Sequence, residues 1–158
     1  MTQQEAPFFA IEKIYVKGLS LEIPNAPTIF LETKTPEIDI ELQTMAERLG
    51  EDVYEVALTV TVTAKLPEKT VFLAEVKQGG IFRLRNIPED NQDPLLSIAC
   101  PNILFPYVRE VVSDLVSRAG FAPVILQPVN FEALYASRLK EKETAAAAES
   151  EKKEATLQ

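Results

Sequence analysis

Residues 53–64, VYEVALTVTVTA, do more than any other stretch to limit the fold. Tyr54, Val56, Leu58, Val60 and Val62 alternate with Glu55, Thr59, Thr61 and Thr63. Successive side chains on a strand point to opposite faces, so alternation rich in β-branched residues predicts a half-buried strand. KLPEK (65–69), with Pro67, reads as a short connection. TVFLAEVKQGGIFRL then predicts the return strand, ending or bulging at Gly79 and Gly80. Upstream, EIDIEL (37–42) alternates as well, with Ile38, Ile40 and Leu42 opposing Glu37, Asp39 and Glu41. FFAIEKIYVKGLSLEI (8–23) is extended and apolar on both faces, and Gly18 fits a bulge that swaps them. Between these two segments lies PNAPTIFLETKTP, whose three prolines bar a regular helix and favour a long crossover.

After Pro94 the period changes to that of a helix. From Leu104, apolar residues fall at Tyr107, Val108, Val111, Val112, Leu115, Val116 and Ala119, and Gly120 is placed as the C-terminal stop. Pro106 is expected in the first turn, where its missing N–H costs nothing, and the residues before it could form an extra, kinked turn. A second helix is expected from NFEALYASRLKEK, with Asn130 as its N-cap. From Glu141 the chain lacks aromatic and β-branched core formers, which predicts a disordered or frayed-helical tail over 141–158 behind a single domain over 1–140. Strands first and helices afterwards make the fold α+β: a sheet of four strands, mostly antiparallel, followed by two helices on one of its faces.

The 158 residues suffice for one real core. With Lys+Arg 16 against Asp+Glu 24 the net charge is −8, which argues against nucleic-acid partners. The single cysteine, Cys100, forbids an intramolecular disulfide and fits a reducing compartment. No secretory signal and no membrane span are expected, so the cytoplasm is the predicted location. There is no histidine, the usual general base and commonest metal ligand, and no zinc or phosphate-loop motif. Catalytic residues, metal and cofactor are all expected to be absent. Asp39 and Glu41 share a strand face and in principle form a carboxylate pair, although solvated acids on such a face are the ordinary case.

Two features exceed what a monomer needs. The apolar stripe on the first helix is wider than the roughly 100° a surface helix requires. It fits either a deeply buried core helix or one held between its own sheet and a partner subunit. Phe8, Phe9, Ile29, Phe30, Leu31, Phe121 and Phe131 lie in or beside irregular segments, and one domain cannot easily bury them all. They could line a groove for extended polypeptide or seal a homo-oligomer. A groove closed over a metabolite, or an adaptor whose apolar surface only assembles, are the rival readings.

Together, YEVALTVTVTA, FLAEVKQGGIF, CPNILFPYVREVVSDLVSR, PVNFEALY and IYVKGLSLEIPNAP strongly resemble the SecB family of bacterial protein-export chaperones, in order, from about Ile11 to Tyr135. That resemblance implies a cytosolic homotetramer, a dimer of dimers without ATPase activity. It would hold unfolded precursor proteins and deliver them to the translocase motor SecA. It implies a SecA-docking face at Glu22, Leu73 and Glu75. The client groove would include Ile38, Ile40 and Leu42, with Phe131 and Tyr135 of the second helix. Oligomer contacts would fall on Ala74, Val76 and Gln78, and on Tyr107 and Val111 of the long helix. Two positions depart from the family pattern: Gly18 stands where an acid is frequent, and KTPE, with Lys34 and Thr35, stands where a tryptophan commonly precedes PE.

Overall fold

The structure, a computed structural model, describes residues 3 and 5–156. The chain divides into two compact units, Met1–Gln127 and Pro128–Gln158. The first holds four strands, β1 (Phe8–Glu22), β2 (Glu37–Gly50), β3 (Val53–Leu66) and β4 (Lys69–Arg85). All neighbours pair antiparallel, in the order β1-β4-β3-β2. β1 and β2 are therefore opposite edges, and the proline-rich crossover spans the whole end of the sheet. It contains one 3-10 turn, Thr28–Leu31, and its Asn25 Nδ2 donates to the Thr70 carbonyl at 2.9 Å.

Alternation in β3 is as expected. Val56, Leu58, Val60, Val62, Ala64 and Leu66 are buried, and Glu55, Ala57, Thr59, Thr61 and Thr63 face the other way, half-buried. In β1 the register slips between Ile11 and Lys13 and again between Val16 and Gly18. The second slip changes which residues face the core: Ile14 and Val16 before it, Leu19 and Leu21 after it. Gly18 thus marks the bulge.

The expectation at Gly79 and Gly80 is corrected. β4 passes both without a register shift. These glycines serve close approach: a Cβ on Gly79 would fall 2.6 Å from the Tyr15 ring, and one on Gly80 2.7 Å from Phe82 and 2.9 Å from Leu104. β2 is also longer than its alternating part, because pairing with β3 carries it on to Gly50.

One helical run, Glu89–Arg118, crosses the sheet. It consists of α1 (Glu89–Pro94), a π-helical turn (Leu95–Ala99) and α2 (Cys100–Arg118). Pro106 therefore sits inside a helix and not in its first turn, while Pro101 takes the early position. The bond Pro106 cannot donate would have gone to Asn102. Both residues are exposed, so water can serve that carbonyl. By length and composition alone this run is apolar enough to cross a membrane, which the sequence reading did not anticipate. A core helix passes the same test, and α2 buries Cys100, Pro101, Leu104, Phe105, Val108, Val112, Leu115 and Val116. At about 1.5–3 kcal/mol for each large aliphatic side chain taken out of water, this stripe is what holds α2 to β3 and β4. Gly120, at φ 93°, ends the helix with its N–H on the Ser117 carbonyl at 3.1 Å.

The second unit is α3 (Phe131–Thr156). Asn130 caps it, its Oδ1 accepting from the Ala133 N–H at 3.0 Å. The tail expected beyond Glu141 continues this helix to Thr156, its last two residues lying outside those described. Ala145–Ala148 and the surrounding Glu and Lys favour helix intrinsically, and every residue from Ala136 to Thr156 is exposed.

Candidate functional site

The sheet has two unlike faces, and the register shows what each brings together. On the open face, rows of residues cross all four strands. Glu22 of β1 pairs with Leu73 of β4, which pairs with Thr63 of β3, which pairs with Asp39 of β2. The next row is Ser20, Glu75, Thr61 and Glu41, and the one after it Gly18, Lys77, Thr59 and Gln43. Glu22, Leu73 and Glu75 therefore form one patch, an apolar residue flanked by two carboxylates. The Thr61 hydroxyl donates to Glu75 at 3.4 Å, and Lys77 approaches Glu75 at 4.0 Å. Asp39 and Glu41 bring two further acids to the same rows, a convergence that only the strand register reveals.

Farther along this face, Tyr15 reaches across Gly79 and donates its hydroxyl to Glu55, whose other oxygen accepts from Lys17 at 2.6 Å. Burial above all, with the Glu55 hydrogen bond and charge adding to it, pushes the Tyr15 phenol up to about 12. The Lys17 hydrogen bond, then that of Tyr15, holds the Glu55 carboxyl below its usual range. This triad ties β1 to β3 over β4.

On the other face α2 covers β3 and β4 and leaves the two edges uncovered. On β2, Ile38 and Ile40 are 41% and 45% exposed, and Leu42 is half-buried. On β1, Val16 and Leu19 are 48% and 54% exposed. These apolar strips flank the helix. Phe131 is buried and Tyr135 half-buried, on the first two turns of α3 in the second unit. Ala74, Val76 and Gln78 are buried on the helix-covered side of β4. Among the described residues no donor reaches the Gln78 Oε1. Tyr107 is exposed and Val111 half-buried, so the extra width of the α2 stripe is uncovered in the protomer.

A cleft lies where the crossover meets the end of α2, and it gathers Ile29, Phe30 and Phe121 from the apolar surplus noted in the sequence. It has a volume of about 250 Å³ and is walled by Ile29, Phe30, Leu66, Val71 and Phe121, with Glu32, Lys34 and Pro36 also lining it. Phe121 stacks on Phe30 with centroids 5.1 Å apart and meets Phe72 at 5.0 Å. Gly120 permits the approach, since a Cβ there would stand 3.1 Å from the Phe30 ring. Of the aromatic and aliphatic surplus, Ile29 and Phe131 prove buried, while Phe8, Phe30 and Leu31 stay exposed. The signal that could have revealed the cleft was the pairing of TIF in the crossover with GF after the helix.

Cys100 is fully buried, and burial pushes its thiol up to about 12. Among the described residues no group of three or more His, Cys, Asp and Glu could hold a metal ion.

Known proteins match the chain over most of its length. A family model described as "SecB: Preprotein translocase subunit SecB" matches residues 2–142. The protein-export protein SecB of Dechloromonas aromatica is 64% identical over 141 residues, 89% of this chain and 93% of the relative. That of Nitrosospira multiformis is 60% identical over 145 residues, 92% and 91% of the two chains. A solved structure of a Mycobacterium tuberculosis SecB-like chaperone, in complex with a peptide from an antitoxin, shares the fold. Its TM-score is 0.63 at 17% identity, covering 77% of this chain and 90% of that one.

Proposed function

The chain belongs to the SecB family, and from that premise we propose how its two-faced sheet performs the family's work. It is a protein-export chaperone, not an enzyme. Capture needs no chemistry: an unfolded precursor offers apolar side chains and unpaired backbone groups, and an exposed edge strand beside an apolar strip can take both. The observation that carries this reading is the uncovered β2 strip of Ile38, Ile40 and Leu42, an apolar surface that the protomer leaves in water. We assign client binding to this strip together with the crossover cleft, and propose Phe131 and Tyr135 of the second unit as further client contacts, each unit taken by itself. Backbone hydrogen bonds supply affinity, apolar contacts tolerate many sequences, and the bound precursor stays unfolded for export.

The opposite face serves release. Glu22, Leu73 and Glu75 form the proposed docking patch for SecA, an acidic apolar surface suited to a basic segment of that motor. Asp39 and Glu41 extend its field along the rows of Glu22 and Glu75, while Gly18, one row farther on, supplies no charge. The chain works in the cytosol as a dimer of dimers, with Tyr107 and Val111 at the contact between dimers. Ala74, Val76 and Gln78 shape that contact through the seat they provide for α2.

The test is the behaviour of wild type and Glu75→Lys towards a chemically unfolded precursor and towards SecA. Wild type should run at about four times the chain mass and suppress aggregation of the precursor. Glu75→Lys should keep that suppression and lose SecA binding. Equal loss of both activities, or a stable monomer that ignores unfolded chains, would refute the reading.

A further inference from the structure

Two neighbouring rows of the open face hold carboxylates and no cation. Glu22 and Asp39 stand at the ends of the row that runs through Leu73, and Glu75 and Glu41 belong to the next. Glu75 is the acid among these that lies on an interior strand, two residues from Leu73. The following row brings an ammonium, that of Lys77. Lys77 follows Glu75 by two residues on β4, so both side chains stand on this face. Its Nζ comes to 4.0 Å from Glu75 Oε1, while the Thr61 hydroxyl donates to Oε2 at 3.4 Å. Among the described residues Glu22, Asp39 and Glu41 form no ion pair. The neighbours of Lys77 across the strands carry no charge: Thr59 is neutral, and Gly18 has no side chain. A Cβ at Gly18 would lie 3.5 Å from the Lys77 stem, an ordinary contact, so glycine withholds a neighbour that the space would take. Lys77 is thus left to Glu75. Both side chains are about half exposed, so neither is locked to the other.

We propose that Lys77 is a specificity-determining residue of the docking patch: it competes from within the chain for Glu75, and so sets how far charge, as against apolar contact on Leu73, decides binding. This rests on the docking reading above. A basic segment gains Glu75 only as Lys77 leaves it, and meets the like charge of Lys77 in doing so. Apolar contact with Leu73 meets no such rival. An exposed pair of this kind is weak, so Lys77 should lower the affinity for a cationic segment by about threefold, and the effect should fade as salt rises.

The test uses a labelled peptide with one leucine flanked on both sides by lysines. It is titrated against the full chain as wild type, Lys77→Gln, Glu75→Gln and the double variant. Lys13→Gln serves as the control for net charge, because Lys13 pairs with Ile81 and so stands on the same face two rows farther from Glu75. Lys77→Gln should bind the peptide about threefold more tightly than wild type at low salt, and nearly equally at about 0.5 M salt, where screening acts within a few ångströms. Lys13→Gln should change the affinity much less. In the Glu75→Gln background Lys77→Gln should gain little, because the contested carboxylate is gone. An equal gain with and without Glu75, or an equal gain from Lys13→Gln, would overturn the proposal while leaving the docking reading intact. A peptide bound by none of these proteins would overturn the docking reading with it.

Discussion

Replacing Gly79 by alanine should destabilise the sheet through a single aromatic ring, and removing that ring should reverse the sign of the effect. A Cβ at Gly79 would stand 2.6 Å from Cε2 and Cζ of Tyr15 and 2.9 Å from its hydroxyl. Ordinary contact begins at 3.4 Å, so the ring must retreat by about 0.8 Å. It is the far end of a side chain and can move, but moving draws the hydroxyl away from Glu55. Overpacking costs about 1–3 kcal/mol, and a lost hydrogen bond to a charged group about 1.5–3 kcal/mol. The two costs overlap, because the motion that relieves one incurs the other, so Gly79→Ala should cost about 1–3 kcal/mol. In a Tyr15→Ala background no ring is met, and alanine should gain about 0.5–1 kcal/mol over glycine in a strand interior. The coupling between the two sites is thus about 2 kcal/mol or more, well above the error of additivity. Urea unfolding of the four proteins at one fixed protomer concentration measures it. Equal cost of Gly79→Ala in both backgrounds would refute the close-approach argument.

Gly120→Ala should cost at least 1 kcal/mol, from its φ of 93° and the 3.1 Å contact with Phe30, and thermal unfolding against a neutral Gly50→Ala control reads this. Cys100, with its thiol pushed up to about 12 and fully buried, should resist alkylation at pH 8 until the protein is unfolded. The Tyr15 phenol, raised when folded, contributes stability that is complete below pH 10 and lost as pH rises towards 12. Glu55, lowered when folded, contributes stability present above its ordinary carboxylate range and lost as pH falls through its depressed value. Denaturation midpoints should therefore fall at both extremes, and Tyr15→Phe should blunt the alkaline loss.

How much of this was legible in the sequence depended on whether a feature is local. β3 announces itself because Val56, Leu58, Val60 and Val62 obey the period of two within one segment, and Asn130 and Gly120 mark helix ends by their own chemistry. Gly79 and Gly80 misled because the groups they make room for, Tyr15 and Leu104, come from distant segments. Pro106 misled because the π-helical turn at Leu95–Ala99 extends the helical run backwards without a periodic signature of its own. Of the docking patch, the alternation of β4 puts Leu73 and Glu75 on one face, but only the pairing of β1 with β4 seats Glu22 beside Leu73. The apolar surplus at Ile29, Phe30 and Phe121 was legible, but no local pattern shows which of them converge, because Phe30 and Phe121 are about ninety residues apart and meet only once the crossover and the end of α2 are in place.

The central claim is that apolar surface left uncovered beside α2 captures unfolded chains. Its most direct test is the affinity for a permanently unfolded precursor of wild type and of an Ile38→Asp, Ile40→Asp double variant. Both side chains are already more than one-third exposed, so the fold should survive, as far-ultraviolet circular dichroism and an unchanged mass in solution will show. A loss of affinity of tenfold or more is predicted, since burying two such side chains contributes on the order of 1.5–3 kcal/mol each. Unchanged affinity in a folded double variant would contradict the account.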